Sequence, residues 1–323
     1  HTDFTNSLGT LLTVAKREVR EMAAQCIGDL YRFVGEALLE EKFGVEKAVF
    51  VPGNTFFTLE GQQMALGRIG MVSRIRGSNE VEKVLHAIIE ETNFTLPSSP
   101  TEVGYIYWYS TRSLLNLITT NVSTILQAHK AILETTQAEI IGKHKDVIME
   151  CAMKRLTHFD VKVRRSAALV VSEIVHFYPE TAVDVINSLI PQPADLWMVR
   201  DGKLTAIASC VEGLELPKDF VEKLARTLHQ LVLDPMENDK APMTQKGTAN
   251  GKACMALVAL ATQLPKALYE EIVLPDIMLL IRSPIAALLD NGLIALNTLK
   301  TKGFDVSGFL PYAFKNIVHT SFP

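Results

Sequence analysis

The stretch Asp160-Val161-Lys162-Val163-Arg164-Arg165-Ser166-Ala167-Ala168-Leu169-Val170-Val171 decides how this chain folds. Val163, Ala167, Val170, Val171 and, just beyond, Ile174 recur at the three- and four-residue spacing of one apolar helix face. The Ala pair lets a neighbouring helix approach closely. Asp160 stands where a carboxylate caps free backbone amides and faces the positive end of the helix dipole. The stretch is therefore a short helix built to stack on others.

It has copies. In Arg17-Glu18-Val19-Arg20-Glu21-Met22-Ala23-Ala24-Gln25-Cys26-Ile27-Gly28, the residues Val19, Arg20, Ala23, Ala24 and Ile27 match Val163, Arg164, Ala167, Ala168 and Val171 at one fixed offset. A third copy starts at Asp195 and runs through Met198-Val199-Arg200-Asp201-Gly202-Lys203-Leu204-Thr205-Ala206-Ile207, one helical-pair repeat after the motif at 163. Looser echoes, Asp201-Gly202-Lys203, Asn250-Gly251-Lys252 and Asn291-Gly292-Leu293, each open a run of small and aliphatic residues. Their unequal spacing fits repeats joined by loops of different length. The fold expected is all-α: an α-solenoid of about six irregular antiparallel helix pairs.

Composition agrees. Hydrophobic residues make up 48% and aromatics 7%, which suits helices of Leu, Ile, Val and Ala better than an aromatic-rich β-sandwich. Stacked repeats grow without a central core, so 323 residues give no domain count. Pro and Ser in Leu96-Pro97-Ser98-Ser99-Pro100 suggest a linker at 93–102, between repeats at 1–92 and at 103–323, all within one continuous stack. Neither end carries the polar cap that repeat stacks need, so the chain is expected to be a piece of a longer array. A further turn is expected at Pro52-Gly53-Asn54, and breaks or kinks at Pro265, Pro275 and Pro284.

The formal net charge of −4 argues against a dominantly nucleic-acid-binding surface. No apolar run reaches the roughly 18 to 20 residues of a membrane span. Cys26, Cys151, Cys210 and Cys254 are scattered within helical patterns and are expected as buried, free thiols of a reducing compartment, cytoplasmic or nuclear. Neither they nor the eight histidines fall at a metal-ligand spacing. Nucleophile-elbow, phosphate-loop and zinc-protease motifs are all missing, so no enzyme activity and no cofactor are expected.

Three features are candidates for binding a protein partner. Tyr105, Tyr107, Trp108 and Tyr109 follow the Pro/Ser stretch; they serve either as interface anchors or as plugs between two repeats. Lys143, Lys145, Lys154, Arg155, Lys162, Arg164 and Arg165 crowd one segment, where aligned charges would steer an acidic partner. Arg164 and Arg200 are instead expected to bond carboxylates or carbonyls between repeats. The polar loop Asp234 to Gly247, with Lys240 and Lys246, is either a binding loop or a solvated insertion.

The segments at 17–35, 160–177 and 195–213 resemble HEAT repeats, and most of the chain is similar to the HEAT/armadillo class. Arg164-Arg165-Ser166-Ala167-Ala168, then Pro179-Glu180 and Asp195 to Gly202, are also similar to the tubulin-folding cofactor D family. The resemblance implies curved stacks of helix pairs that hold other macromolecules. A non-enzymatic scaffold or adaptor follows, with tubulin, proteasome or trafficking components as clients. The alternatives are an accessory subunit of an enzyme complex, or a nucleic-acid-associated scaffold using 143–165.

Overall fold

The computed structural model describes residues 2–34, 56–76, 78–90, 100–120, 130–235 and 240–320. Among them every regular element is helical and no strand occurs. The turn expected at 52–54, most of the linker expected at 93–102, and 236–239 of the polar loop lie outside the described residues. Two compact units form: residues 1–155 with 159–174, and residues 156–158 with 175–323.

The first unit contains α1 (Thr2–Leu11), α2 (Arg17–Val34), α3 (Phe56–Arg76), α4 (Ser78–Glu90), α5 (Pro100–Ile118), α6 (Lys130–Arg155) and most of α7 (Val161–Phe177). Contacts at two or more levels give the helix directions. Arg20 meets Glu60 and Gly28 meets Arg68, so α2 and α3 run the same way. Gly67 meets Ser113 and Gly70 meets Leu117, so α5 follows α3. Gly104 meets Asp160 and Thr119 meets Glu173, so α7 follows α5. These four helices make one parallel row. A second row holds α4 and α6, also parallel, joined by Lys143 to Glu82 and by Arg155 Nη2 to the Ile88 carbonyl at 3.3 Å.

Helical spacing builds the core. Val163, Ala167, Val170, Val171 and Ile174 are all buried, as are Val81, Val84, Leu85 and Ile88 on α4. Each large aliphatic side chain removed from water in this way contributes roughly 1.5–3 kcal/mol. On α2, Ala23, Ala24 and Ile27 are buried, while Met22 and Cys26 lie on the outer face. Cys26 thus departs from the expectation of four buried thiols, because it shares the outer face of the helix with Met22, four residues before it.

The Val-Arg arginines share a task. Arg164 Nη1 donates to the Phe159 carbonyl at 2.8 Å. Arg20 Nη1 donates to the carbonyls of Val14 and Ala15 at 2.7 and 2.8 Å, and its Nη2 pairs with buried Glu60. Arg200 Nε donates to the Asp195 carbonyl at 3.2 Å, its Nη2 to that of Pro193 at 3.2 Å, and its Nη1 to the Asp234 carboxylate at 2.7 Å. Each guanidinium turns back on the chain that enters its own helix and ties its carbonyls with charge-assisted hydrogen bonds. Asp160 caps α7 as expected, accepting the Lys162 N–H at 2.7 Å. Asp195 does not cap its helix. It lies before the N-cap position and closes the preceding turn by accepting the Gln192 N–H at 2.9 Å.

The second unit contains α8 (Ala182–Leu189), α9 (Trp197–Val211), α10 (Lys218–Leu233), α11 (Thr248–Ala259), α12 (Leu274–Ile281), α13 (Ala286–Thr301) and α14 (Leu310–Thr320). Helix α11 packs between α9 and α13. Before α12, Lys266–Leu268 forms one α-helical turn and Tyr269–Val273 a π-helical one. Pro275 lacks an amide donor and crowds the carbonyl four residues back, and the widened turn lets the helix pass through it. This run is parallel to α10, since Arg226 pairs with Glu271 at 3.4 Å and His229 with Asp276 at 2.9 Å. Asn250, at the start of α11, donates to the carbonyls of Leu231, Val232 and Asp234 at 3.1, 3.1 and 2.8 Å and closes the end of α10.

Candidate functional site

The aromatic segment lies on α5, and helical geometry divides it. Tyr105, Trp108, Tyr109 and Arg112 are three, four and seven residues apart and share a face. Tyr107 points elsewhere, with the Arg155 guanidinium 5.9 Å from its ring centre, and burial raises its pKa. Of the aromatics singled out in the sequence, Tyr105, Trp108 and Tyr109 thus share one face of α5 and Tyr107 lies on another.

Tyr105 is held between two cations, Arg17 at 4.2 Å and Lys162 at 4.8 Å from its ring centre. Lys162 also lies 5.0 Å from the Trp108 ring, and the Trp108 and Tyr109 rings are 4.8 Å apart. Cation–π contacts of this kind contribute about 0.5–1 kcal/mol each when exposed. The Tyr109 hydroxyl donates to Glu21 at 2.9 Å and accepts from Arg17 Nε at 3.2 Å. Burial and the Glu21 bond together push its pKa up to about 12. The aromatics thus tie α5 to α2 and α7 while staying half-exposed.

Beside them opens a groove of about 650 Å³ between α2, α3 and α5. Its floor and walls include Met22, Met64, Met71, Trp108 and Tyr109, and Glu18, Glu21, Arg68 and Arg112 line it too. The α3 residues carry no local motif, and the α2 residues lie within the repeat copy at 17–28 without being singled out by it. Only the parallel packing of α2, α3 and α5 brings them together, and sequence reading missed them for that reason.

The basic segment does not present one surface. Arg155 and Arg164 are buried at 3% and 2% exposure. Arg155 donates to Ser110 and Thr111, both at 3.0 Å, and clamps α6 onto α5. Lys143 pairs with Glu82, whose pKa is held down by that bond, and Lys154 pairs with Glu150 at 2.7 Å. Lys145 is half-exposed, and Arg165 is exposed.

The polar loop belongs to the second unit. Its first residue, Asp234, is committed to Arg200 and, through its carbonyl, to Asn250. Lys240 is exposed and adopts a positive φ of 53°, and Lys246 is half-buried before Gly247, where φ is 80°. Met243 between them is 82% exposed.

Among the described residues no group of three His, Cys, Asp or Glu side chains is placed to hold a metal ion. No helix among them is long and apolar enough to cross a membrane. Compared with known proteins, the chain matches no family model and no curated protein.

Proposed function

We propose that this chain is a HEAT/armadillo-type helical-repeat scaffold that binds a protein partner in the cytoplasm or nucleus and performs no chemistry of its own. The observation that carries the reading is the groove of about 650 Å³ on the α2, α3 and α5 row, with Trp108, Tyr109 and three methionines on its lining. Aromatic anchors beside adaptable thioethers are the surface chemistry of protein recognition. The same-direction helices within each unit and the recurring Val-Arg device support the solenoid reading. Tubulin, proteasome and trafficking components are the client classes that the resemblance implies.

Crosslinking mass spectrometry on the folded chain in cytosol tests this. The expected result is a stoichiometric partner whose crosslinks cluster on unit-one lysines, with binding lost on Trp108→Ala. A folded chain that retains no stoichiometric partner would overturn it.

A further inference from the structure

The groove on α2, α3 and α5 is electrically polarised along its length. Gly28 faces Arg68, and Gly67 faces Ser113, so Arg68 on α3 and Arg112 on α5 stand at one level, beside the later turns of α2. Both are exposed, and neither has a carboxylate partner among the described residues. The Arg112 guanidinium lies 5.9 Å from the centre of the Trp108 ring.

Glu18 and Glu21 mark the other end, in the first turns of α2, where Arg20 meets Glu60. Arg17 also lies there, paired with Glu60 at 3.1 Å and Glu21 at 3.7 Å; with Arg20 on Glu60 as well, these groups leave Glu18 as the carboxylate whose charge no cation among the described residues matches. Lys162 reaches Tyr105 and Trp108 from α7 and does not line the groove. At 1.5 Å per residue, seven to ten residues of helix separate the two ends by roughly 10–15 Å. Between them lie Met22, which is 69% exposed, Trp108 and, on the floor, buried Met64.

We propose that the groove takes one class of occupant: a peptide segment of a partner protein with an apolar anchor flanked by a cation on one side and a carboxylate on the other. The proposal rests on the scaffold reading above and adds the partner's chemistry and direction. The segment's Lys or Arg faces Glu18, its Asp or Glu faces Arg68 and Arg112, and its apolar residue packs on Met22 and Trp108. A polyanion meets Glu18 at one end and is repelled; a wholly basic segment meets the two arginines. The reversed orientation of the same peptide sets like charges against each other at both ends, so the polarity fixes direction as well as class.

The test is a random-peptide display library panned on the whole chain, followed by fluorescence anisotropy of one enriched synthetic peptide. The expected peptides carry opposite charges on either side of an aliphatic or aromatic residue. Arg68→Glu with Arg112→Glu weakens binding at least about tenfold. Replacing the peptide's acidic residues by lysine restores binding to that double variant, a recovery that misfolding cannot imitate.

Enriched peptides without the charge pattern would overturn the proposal. So would wild-type affinity in a double variant that keeps the parent's circular dichroism and melting temperature, or displacement of the peptide by a single-stranded oligonucleotide. An absence of any enriched peptide, while a stoichiometric partner is still captured from cytosol, refutes this occupant and leaves the scaffold reading standing.

Discussion

Asn291 of α13 rests directly on Gly251 of α11: a Cβ placed at 251 would lie 2.7 Å from Asn291 Nδ2 and 2.8 Å from its Cβ. The two helices meet at a distance that only a glycine allows. Asn291 has no freedom to withdraw, because its amide donates to the Ala287 carbonyl at 2.7 Å and its Cβ is fixed to the backbone.

Gly251→Ala is therefore expected to destabilise the second unit by about 1–2 kcal/mol, the cost of overpacking less the gain in helix propensity. Gly308→Ala is the control. A Cβ there meets nothing within 4 Å, and stability should change by less than about 0.5 kcal/mol. Urea denaturation of the two variants makes the comparison.

Arg200 is 5% exposed and bonds Pro193, Asp195 and Asp234. Arg200→Met should cost about 2–4 kcal/mol, since it removes three charge-assisted hydrogen bonds made by a buried side chain, among them the partner of Asp234. Lysine should recover only part of this, having no fork to reach three acceptors. The exposed pair Arg226 and Glu271 provides the contrast: Arg226→Ala should change the same denaturation midpoint within the scatter of a surface substitution.

Burial raises the pKa of Asp195, but Lys203 Nζ at 2.7 Å, the Gln192 N–H at 2.9 Å and nearby Arg200 more than offset it, leaving the carboxyl below its ordinary 3.8. A depressed carboxylate contributes stability that is complete above the unfolded value and is lost as pH falls through the folded one. Carbon-detected NMR titration should find the Asp195 midpoint below 3.8. Lys203→Met should raise that midpoint and lower stability at neutral pH. In acid below both midpoints, where Asp195 is protonated in either variant, that loss should shrink.

Thiol chemistry should separate the four cysteines. Cys26 is exposed, whereas Cys151, Cys210 and Cys254 are buried. Burial pushes the Cys210 thiol up to about 12 and raises Cys151 and Cys254 as well. Iodoacetamide on the native chain should modify Cys26 alone within the time that all four react in denaturant, as peptide mapping would show. Equal native labelling of any buried thiol would contradict the packing of α6, α9 or α11.

Much of the helix pattern was legible because it depends on near neighbours. The burial of Val163 through Ile174 follows from three- and four-residue spacing, and the Asp160 cap from a bond spanning two residues. Arg164 and Arg200 were expected to bond groups between repeats, whereas the carbonyls they bond lie in each helix's own entry segment. Longer-range relations were not. Asn250 reaches carbonyls on α10, Arg74 reaches Asn116 and Leu133, and the groove draws on three helices, all through register between helices that no local pattern encodes. Tyr107 was grouped with its neighbours because adjacency in sequence was given more weight than its position around the helix. Cys26 was misplaced because its type, a small apolar residue inside a helical pattern, was given more weight than the phase that Ala23, Ala24 and Ile27 set.

The turned-back arginines also bear on how the chain reaches this state. The bond from Arg164 to Phe159 and the bond from Arg200 to Asp195 each close only a few residues of chain, so little loop entropy stands against them. Such contacts form on the timescale of helix and short-loop closure, ahead of any packing between distant helices. Each helix entry is thereby organised by its own segment before its neighbours dock, and the slow part of folding is left to the register contacts such as that between Asn291 and Gly251.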